Sequence, residues 1–386
     1  MSSFLIHADT RCALGNNFDQ AVSHLLAGRQ ALQSVSFDEL EDPVTLPYYA
    51  LPYYAAPGLG ATNQEERVYH FLRDIVQGAL DNHPLSTSER ARTGLFIGSS
   101  SFDISVSEVI YKQDLKHSGD AVPLPIIGYG KIAADLQSRF GLSPHSYTYS
   151  TACTSSANAL LSAHRLLRAG VIAHAFVIGA EFFNQTTVLG FHGLNLISPS
   201  GCMSPFEARR DGLILGEGCG LLMLSNIIES DISLHGGATA TDNHHLTAAN
   251  SDGSTIAHVM SQALDSCQLE ASQLNGIKLH GTASLMNDDA EAAGIRLLPC
   301  HVPPLFALKP YIGHTLGACG VLEAALVYGC LGQNQLPGNA ASGPTDERLG
   351  LTLLQGPQAA SAGYYALNYF AFGGNNTCLI LHKAAP

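Results

Sequence analysis

The sequence predicts an α/β protein whose strands and helices alternate in layers. Three observations carry this. Short apolar runs recur at Gly94–Gly98, His174–Gly179, Gly220–Leu224, Gly276–His280 and Cys378–Leu381, each with the continuous apolar character of a strand buried on both faces. Helical patterns lie between them. The 38 glycines are scattered, mostly where apolar runs end, as tight strand–helix turns require.

The two clearest helices carry apolar stripes. One spans Ala157–Leu167, with Leu160, Leu161, His164 and Leu167 on one side and Gly170 as its stop. The other spans Gly317–Gly329, with Leu322, Ala325 and Leu326 along one stripe. The Pro/Tyr-rich segment Pro43–Gly58 reads as an irregular surface excursion. A chain of 386 residues is long for one simple core, so two domains or a duplicated one are expected, although no sequence repeat is visible.

Composition excludes several function classes. Hydrophobic residues make up 46% and charged residues 13%, which leaves no room for extensive disorder. The formal charge of −13, with no Lys/Arg block, argues against a nucleic-acid binder. The nine cysteines show no CxxC pair, so neither a disulfide framework nor a zinc site is expected, and free thiols point to a reducing compartment. No basic region followed by a long apolar run opens the sequence, and no apolar stretch reaches membrane-spanning length. The expectation is a soluble cytoplasmic protein.

Chemistry concentrates at three loops. A β-rich stretch, 146–151, runs into a helix of small residues, with Cys153 at the junction. A helix N-terminus offers unpaired N–H groups and the positive end of the dipole, which favour a thiolate. Ala152, Thr154, Ser155 and Ser156 leave room for a substrate. Taken alone, Cys153 reads equally as a buried structural cysteine. His280 ends a strand, and His314 sits in the small-residue segment 308–320. Both lie at strand-to-loop switches, and with Cys153 they form a nucleophile and acid/base set.

Thr-Ala-Cys153, His280-Gly-Thr, and Lys309 followed by His314 and a glycine-rich helix resemble the β-ketoacyl-acyl carrier protein synthases of fatty-acid and polyketide synthesis, in the thiolase-like superfamily. Ala13–Asn17, Leu25–Arg29, Pro205–Gly220 and Phe372–Asn376 resemble further segments of that family, in order.

The resemblance implies a thiolase-like fold of duplicated α/β halves in an α-β-α-β-α arrangement. Residues 1–230 would carry the nucleophile and residues 231–386 both histidines. It implies that Cys153 takes an acyl group from acyl carrier protein as a thioester, and that malonyl carrier protein then loses CO2 and extends the chain by two carbons. His280 and His314 would stabilise the enolate, and the N–H groups of Cys153 and Phe372 would form the oxyanion hole. Lys309 and Glu323 would fix charge around the histidines, the alternative being a surface ion pair worth about 0–1 kcal/mol. Asp288 and Glu291 would support loops.

Thr247, Thr282 and Ser284 would hold the phosphopantetheine arm, or simply cap turns. Arg67 and Arg73 would dock the acidic carrier, with Lys112, Lys116 and Lys131 adding charge. Substrates arrive on the carrier's arm, so no cofactor or metal is expected. A homodimer, or a heterodimer with a second ketosynthase-like subunit, is implied.

Two departures stand out. Ala283 replaces a glycine in the loop after His280, and Ala371 replaces one before Phe372, which predicts a stiffer acyl gate. They resemble specialised subunits such as those of aryl-polyene pathways. The competing reading is therefore a chain-length partner subunit with little activity of its own. A thiolase fits less well, because Cys378 lies inside an apolar strand rather than in a catalytic loop.

Overall fold

A computed structural model describes residues 3–52, 64–101, 104–119, 129–245, 249–299, 301–340 and 343–385. Its strands are β1 (Ser3–Cys12), β2 (Gln33–Phe37), β3 (Val44–Tyr48), β4 (Thr93–Gly98), β5 (Ser146–Tyr149), β6 (His174–Glu181) and β7 (Gly218–Ser225). They continue with β8 (Ile232–Thr241), β9 (Leu274–Lys278), β10 (Leu305–Phe306), β11 (Gln335–Leu336), β12 (Gln358–Ala359), β13 (Gly363–Phe370) and β14 (Asn375–Lys383).

Ten strands lie in the order β10-β9-β13-β14-β8-β1-β7-β6-β4-β5. The row divides into two halves of identical topology. In the first, β5, β4 and β6 are parallel, and β7 and then β1 follow antiparallel. In the second, β10, β9 and β13 are parallel, and β14 and then β8 follow antiparallel. The halves meet where Ser3 and Phe4 of β1 pair with Leu234 and Ser233 of β8. The duplication that no sequence repeat betrays is explicit in strand order and direction. The outer edge of β5 has no partner strand among the described residues.

Three hydrophobic cores stack through the molecule. The central one lies around helices Ser155–Arg168 and Cys319–Gly332, which pack on each other and on strands of both halves. A second fills the space between the first half and helices Gln64–Asn82 and Tyr129–Phe140. A third lies between the second half and helices Ser254–Cys267 and Leu285–Arg296. β4, β6 and β7 are buried at every residue, which is why they read as unbroken apolar runs. Helix Cys319–Gly332 is buried nearly all round rather than along the expected stripe, because helices Ser155–Arg168 and Phe18–Leu26 and strands of both halves pack around it.

The segment expected as a surface excursion is different in its described part. Val44–Tyr48 pairs with β2 as a hairpin, and Tyr49 and Leu51 are buried. Tyr49 donates its N–H to Leu215 O at 3.0 Å and its hydroxyl to Pro310 O at 2.6 Å. Its tyrosines therefore serve the core, beside the loops that carry the histidines; residues 53–58 lie outside the described residues.

The two central helices approach each other backbone to backbone. A β-carbon on Gly320 would stand 2.0 Å from Ala157 N, and one on Gly98 would stand 2.4 Å from Ser156 Cα. Alanine normally improves on glycine inside a helix. Gly320→Ala should do the opposite and destabilise the fold by about 1–3 kcal/mol through overpacking. Gly332→Ala, at the open end of the same helix, should be neutral or stabilising. The check is the urea midpoint at constant m-value; a Gly320→Ala protein as stable as the parent would refute the close approach.

Candidate active site

The cysteine loop is wound more tightly than a plain strand-to-helix step. β5 ends at Tyr149, and Ala152 adopts φ +52°, turning the chain sharply just before Cys153. Ser155 locks the turn: its Oγ accepts the Thr151 N–H at 2.9 Å and donates to Ala152 O at 2.6 Å. Asn375, just beyond the Phe372 loop, accepts from Thr154 Oγ1 at 2.5 Å and from Asn158 Nδ2 at 2.8 Å through one oxygen. This clasp brings the C-terminal glycine loop onto the nucleophile helix, and the N–H groups of Phe372 and Cys153 both point at the Cys153 sulfur.

His314 closes the site from the other side. Its N–H donates to Ile214 O at 2.7 Å, and its carbonyl accepts from Gly216 N–H at 3.1 Å, so the segment before β7 fixes its backbone. Its Nε2 lies 3.1 Å from Cys153 Sγ. The His280 and His314 rings meet edge to face, with centroids 5.4 Å apart.

Hydrogen-bond logic sets both tautomers. Lys309 Nζ lies 3.3 Å from His280 Nδ1, and the Leu316 N–H lies 3.3 Å from His314 Nδ1. An ammonium and a backbone amide only donate, so both Nδ1 atoms accept and both Nε2 atoms carry the proton. Burial, then the charge of Lys309, holds both imidazoles well below the ordinary histidine range. They are neutral N–H donors at physiological pH.

Beneath them lies a buried ion cluster. Glu323 Oε1 accepts from Lys309 Nζ at 2.7 Å, and Glu323 Oε2 accepts from Lys278 Nζ. All three side chains are inaccessible to solvent. The Lys309–Glu323 pair is thus an interior feature and not a surface ion pair.

The acidic pair after His280 grips backbone. Glu291 accepts the N–H groups of His280 at 2.8 Å and Gly281 at 2.9 Å; Asp288 accepts those of Thr282 at 3.1 Å and Phe206 at 2.8 Å. That grip holds Ala283 at φ +62°, where a non-glycine residue costs about 1–2 kcal/mol. Ala371 carries no such strain; the positive φ values in its loop belong to Gly373 and Gly374.

A cavity of about 210 Å³ opens onto Cys153, His280 and His314. Thr282 and Ser284 line it, their hydroxyls 3.0 Å apart. Phe191 and Phe372 stack across it with centroids 5.9 Å apart. Thr247 lies outside the described residues, as does the Arg67 side chain. Arg73 is engaged: its Nε donates to Asp135 at 2.8 Å, and it lies over the Tyr69 ring. Lys112 pairs with Glu39.

Three residues of the site escaped the sequence reading. Glu181, at the end of β6, accepts the N–H groups of Ser100 and Ser101 at 2.9 Å and Gly317 at 3.0 Å, joining the first half to the His314 loop. Asn375 supplies the clasp described above. Lys278 had a visible signal: a lysine inside an apolar strand, two positions before His280 and therefore on the same face.

Residues 67–230 match the model of the β-ketoacyl synthase N-terminal domain, and residues 233–342 that of its C-terminal domain. The chain belongs to the β-ketoacyl synthase family. It is 30% identical to a putative mitochondrial 3-oxoacyl-[acyl-carrier-protein] synthase of Schizosaccharomyces pombe over 277 residues, 65% of this chain and 64% of that protein. It is 28% identical to 3-oxoacyl-[acyl-carrier-protein] synthase 2 of Vibrio cholerae over 335 residues, 79% of this chain and 80% of that one. Its fold matches a chain of the solved complex between a ketosynthase and its chain length factor from Xenorhabdus doucetiae, with TM-score 0.81, 26% identity, and coverage of 99% of this chain and 98% of that one. These matches agree with the thiolase-like architecture of two equivalent halves. No helix among the described residues is long and apolar enough to cross a membrane.

Burial opposes the thiolate that the helix terminus favours. Burial pushes the Cys153 thiol up to about 12, against the pull of Lys309 and of the N–H groups of Phe372 and Cys153. Desolvation outweighs the helix terminus because the sulfur is almost fully enclosed. Raising the pKa leaves the thiol protonated at neutral pH, so the thiolate fraction should grow about tenfold per pH unit up to the pKa. Iodoacetamide alkylation at Cys153, followed by peptide mass spectrometry, should therefore rise through pH 7 to 10 without a plateau. A plateau below pH 8 would contradict a protonated resting sulfur.

Proposed function

We propose that this protein is a β-ketoacyl synthase that joins an acyl group held on Cys153 to the two carbons of a malonyl unit. The observation that carries the reading is the 3.1 Å approach of His314 Nε2 to Cys153 Sγ, with His280 beside it in one cavity. Cys153 attacks an acyl thioester on the phosphopantetheine arm of a carrier protein; the C–S bond to the arm breaks, and the thiol proton leaves with the released arm. A malonyl thioester then enters. Its carboxylate departs as CO2, and the electron pair left behind becomes an enolate.

The two Nε2–H groups face that enolate oxygen, where preorganised donors are most effective. The enolate carbon attacks the Cys153 thioester, and the N–H groups of Cys153 and Phe372 hold the oxyanion. Collapse of that intermediate expels the Cys153 sulfur as a thiolate, which takes up one proton from solvent to regain its thiol form, and leaves a β-ketoacyl thioester two carbons longer. Thr282 and Ser284 line the route of the arm. The reading needs no metal or cofactor of the enzyme's own.

The same reading places the protein in the cytoplasm, with acyl carrier protein as its partner. Arg67 and Arg73 are the docking residues of this reading, with Arg73 held in place by Asp135. The open edge of β5 suits pairing with a second ketosynthase-like chain, whether a copy or a different subunit. The competing role of a chain-length partner without activity does not need Cys153, both histidines and their buried supports together.

Two outcomes test this. Cys153→Ala should lose the acyl-enzyme seen by intact mass after exposure to acyl carrier protein, whereas Cys202→Ala, altered at an exposed thiol, should load as the parent does; equal loading in all three would end the nucleophile assignment. His280→Ala and His314→Ala should each cut CO2 release from malonyl carrier protein by about 100-fold or more, while His280→Ala still forms some acyl-enzyme. CO2 release that survives in both histidine variants would overturn the enolate role.

A further inference from the structure

Lys278 plays no part in the scheme above, yet it is a wholly buried lysine directly under the histidines. Its ammonium has three N–H groups and three acceptors around it: Glu323 Oε2, Asn368 O at 2.7 Å, and the face of Tyr369, whose centroid is 3.6 Å from Nζ. That set matches a charged ammonium in both number and kind. Burying a charge is costly unless it is paired and hydrogen-bonded, and here it is both.

The geometry of Glu323 makes Lys278 consequential. Each carboxylate oxygen serves one lysine, Oε2 for Lys278 and Oε1 for Lys309. Burial and the charge of Lys309 pull the Lys278 ammonium below its ordinary value, while Glu323 holds it up; with both lysines protonated, two ammonium groups against one carboxylate leave a net positive charge in a dry interior. Lys309 thus spends one N–H on Glu323 Oε1, and another reaches His280 Nδ1 at 3.3 Å.

We propose that Lys278 is a positioning residue that divides Glu323, so that Lys309 holds His280 in its Nε2–H form and positive charge remains beneath the developing enolate. Without Lys278, both oxygens of Glu323 are available to Lys309, which is drawn off His280 Nδ1 and neutralised. The charged and titratable groups facing His280 are Lys309, His314 and Lys278, with Glu291 at its backbone N–H. The charges acting on the Cys153 sulfur are instead Lys309 and Glu181. Lys278 therefore bears on decarboxylation more than on the nucleophile. This inference rests on the condensation reading.

The test compares the full-length parent with Lys278→Gln and Lys278→Met. Gln keeps a donor for Glu323 or Asn368 O and removes only the charge. CO2 release from malonyl carrier protein should fall in kcat by about 10- to 100-fold in both variants, with KM within about twofold. Alkylation of Cys153 by iodoacetamide should stay within about twofold of the parent in the same preparations. An unchanged kcat in folded Lys278→Gln overturns the proposal, as does an equal loss of alkylation and CO2 release, which marks a purely structural role. A parent that releases no CO2 sinks the condensation reading instead. In that case NMR of 13C-histidine-labelled protein decides: His280 should be a single Nε2–H tautomer in the parent and a mixture in Lys278→Gln, and identical spectra overturn the proposal.

Discussion

The site depends on one packing constraint, the contact of backbone with backbone around the first turn of helix Ser155–Arg168. Gly98 of β4, Gly179 of β6 and Gly320 of the facing helix all press on Ser156 or Ala157. At each position a single added carbon would meet main chain or Ser156 itself. Close-packed interiors transmit such intrusions instead of absorbing them. Because the contact joins an element of the first half to the helix that follows His314, it also sets how far the Cys153 sulfur stands from the His314 imidazole. The short sulfur-to-nitrogen distance is a result of glycine placement as much as of the two reacting residues.

Electrostatics inside the fold follow a second pattern. The chain carries few charges, yet it buries several carboxylates and gives them to backbone amides of loops. Glu181 holds the loop after β4 and the turn after His314, Glu291 and Asp288 hold the His280 loop, and Glu217 holds Leu51 and Phe183. A carboxylate that accepts two or more N–H bonds fixes a loop more firmly than side-chain packing alone, since losing it leaves several buried donors unpaired. Glu323 is the exception: it takes ammonium groups and not amides, and it lies under the one place where charge changes during the proposed reaction.

Much of this was legible in the sequence. β4, β6 and β7 announced themselves because burial on both faces removes any alternation. Cys153, His280 and His314 stood at segment ends, where short-range patterns are informative, and the structure gathers them into one cavity. The duplication was legible through the family resemblance but not as a sequence repeat, because it survives in strand order and direction and not in side chains. Tyr49, within the expected surface excursion, was misjudged because a stretch dense in proline and tyrosine reads as loop, and only the neighbouring strands reveal what buries it. The state of the sulfur was legible only in part for a related reason: a helix terminus is visible in sequence, whereas the degree of enclosure that opposes it is a property of the whole fold.

A sulfur that rests in its protonated form behaves differently from an exposed, ionised one. Stray oxidants and small electrophiles react with thiolates, so the idle enzyme offers them little to attack. A thioester substrate is different, because it carries its own sulfur, which takes up the proton as it departs. Exchange of one thiol for another needs no base from solvent and creates no net charge in the cavity. In the proposed reaction, selectivity at Cys153 then comes from the symmetry of the chemistry: the residue responds to partners that return what it gives up.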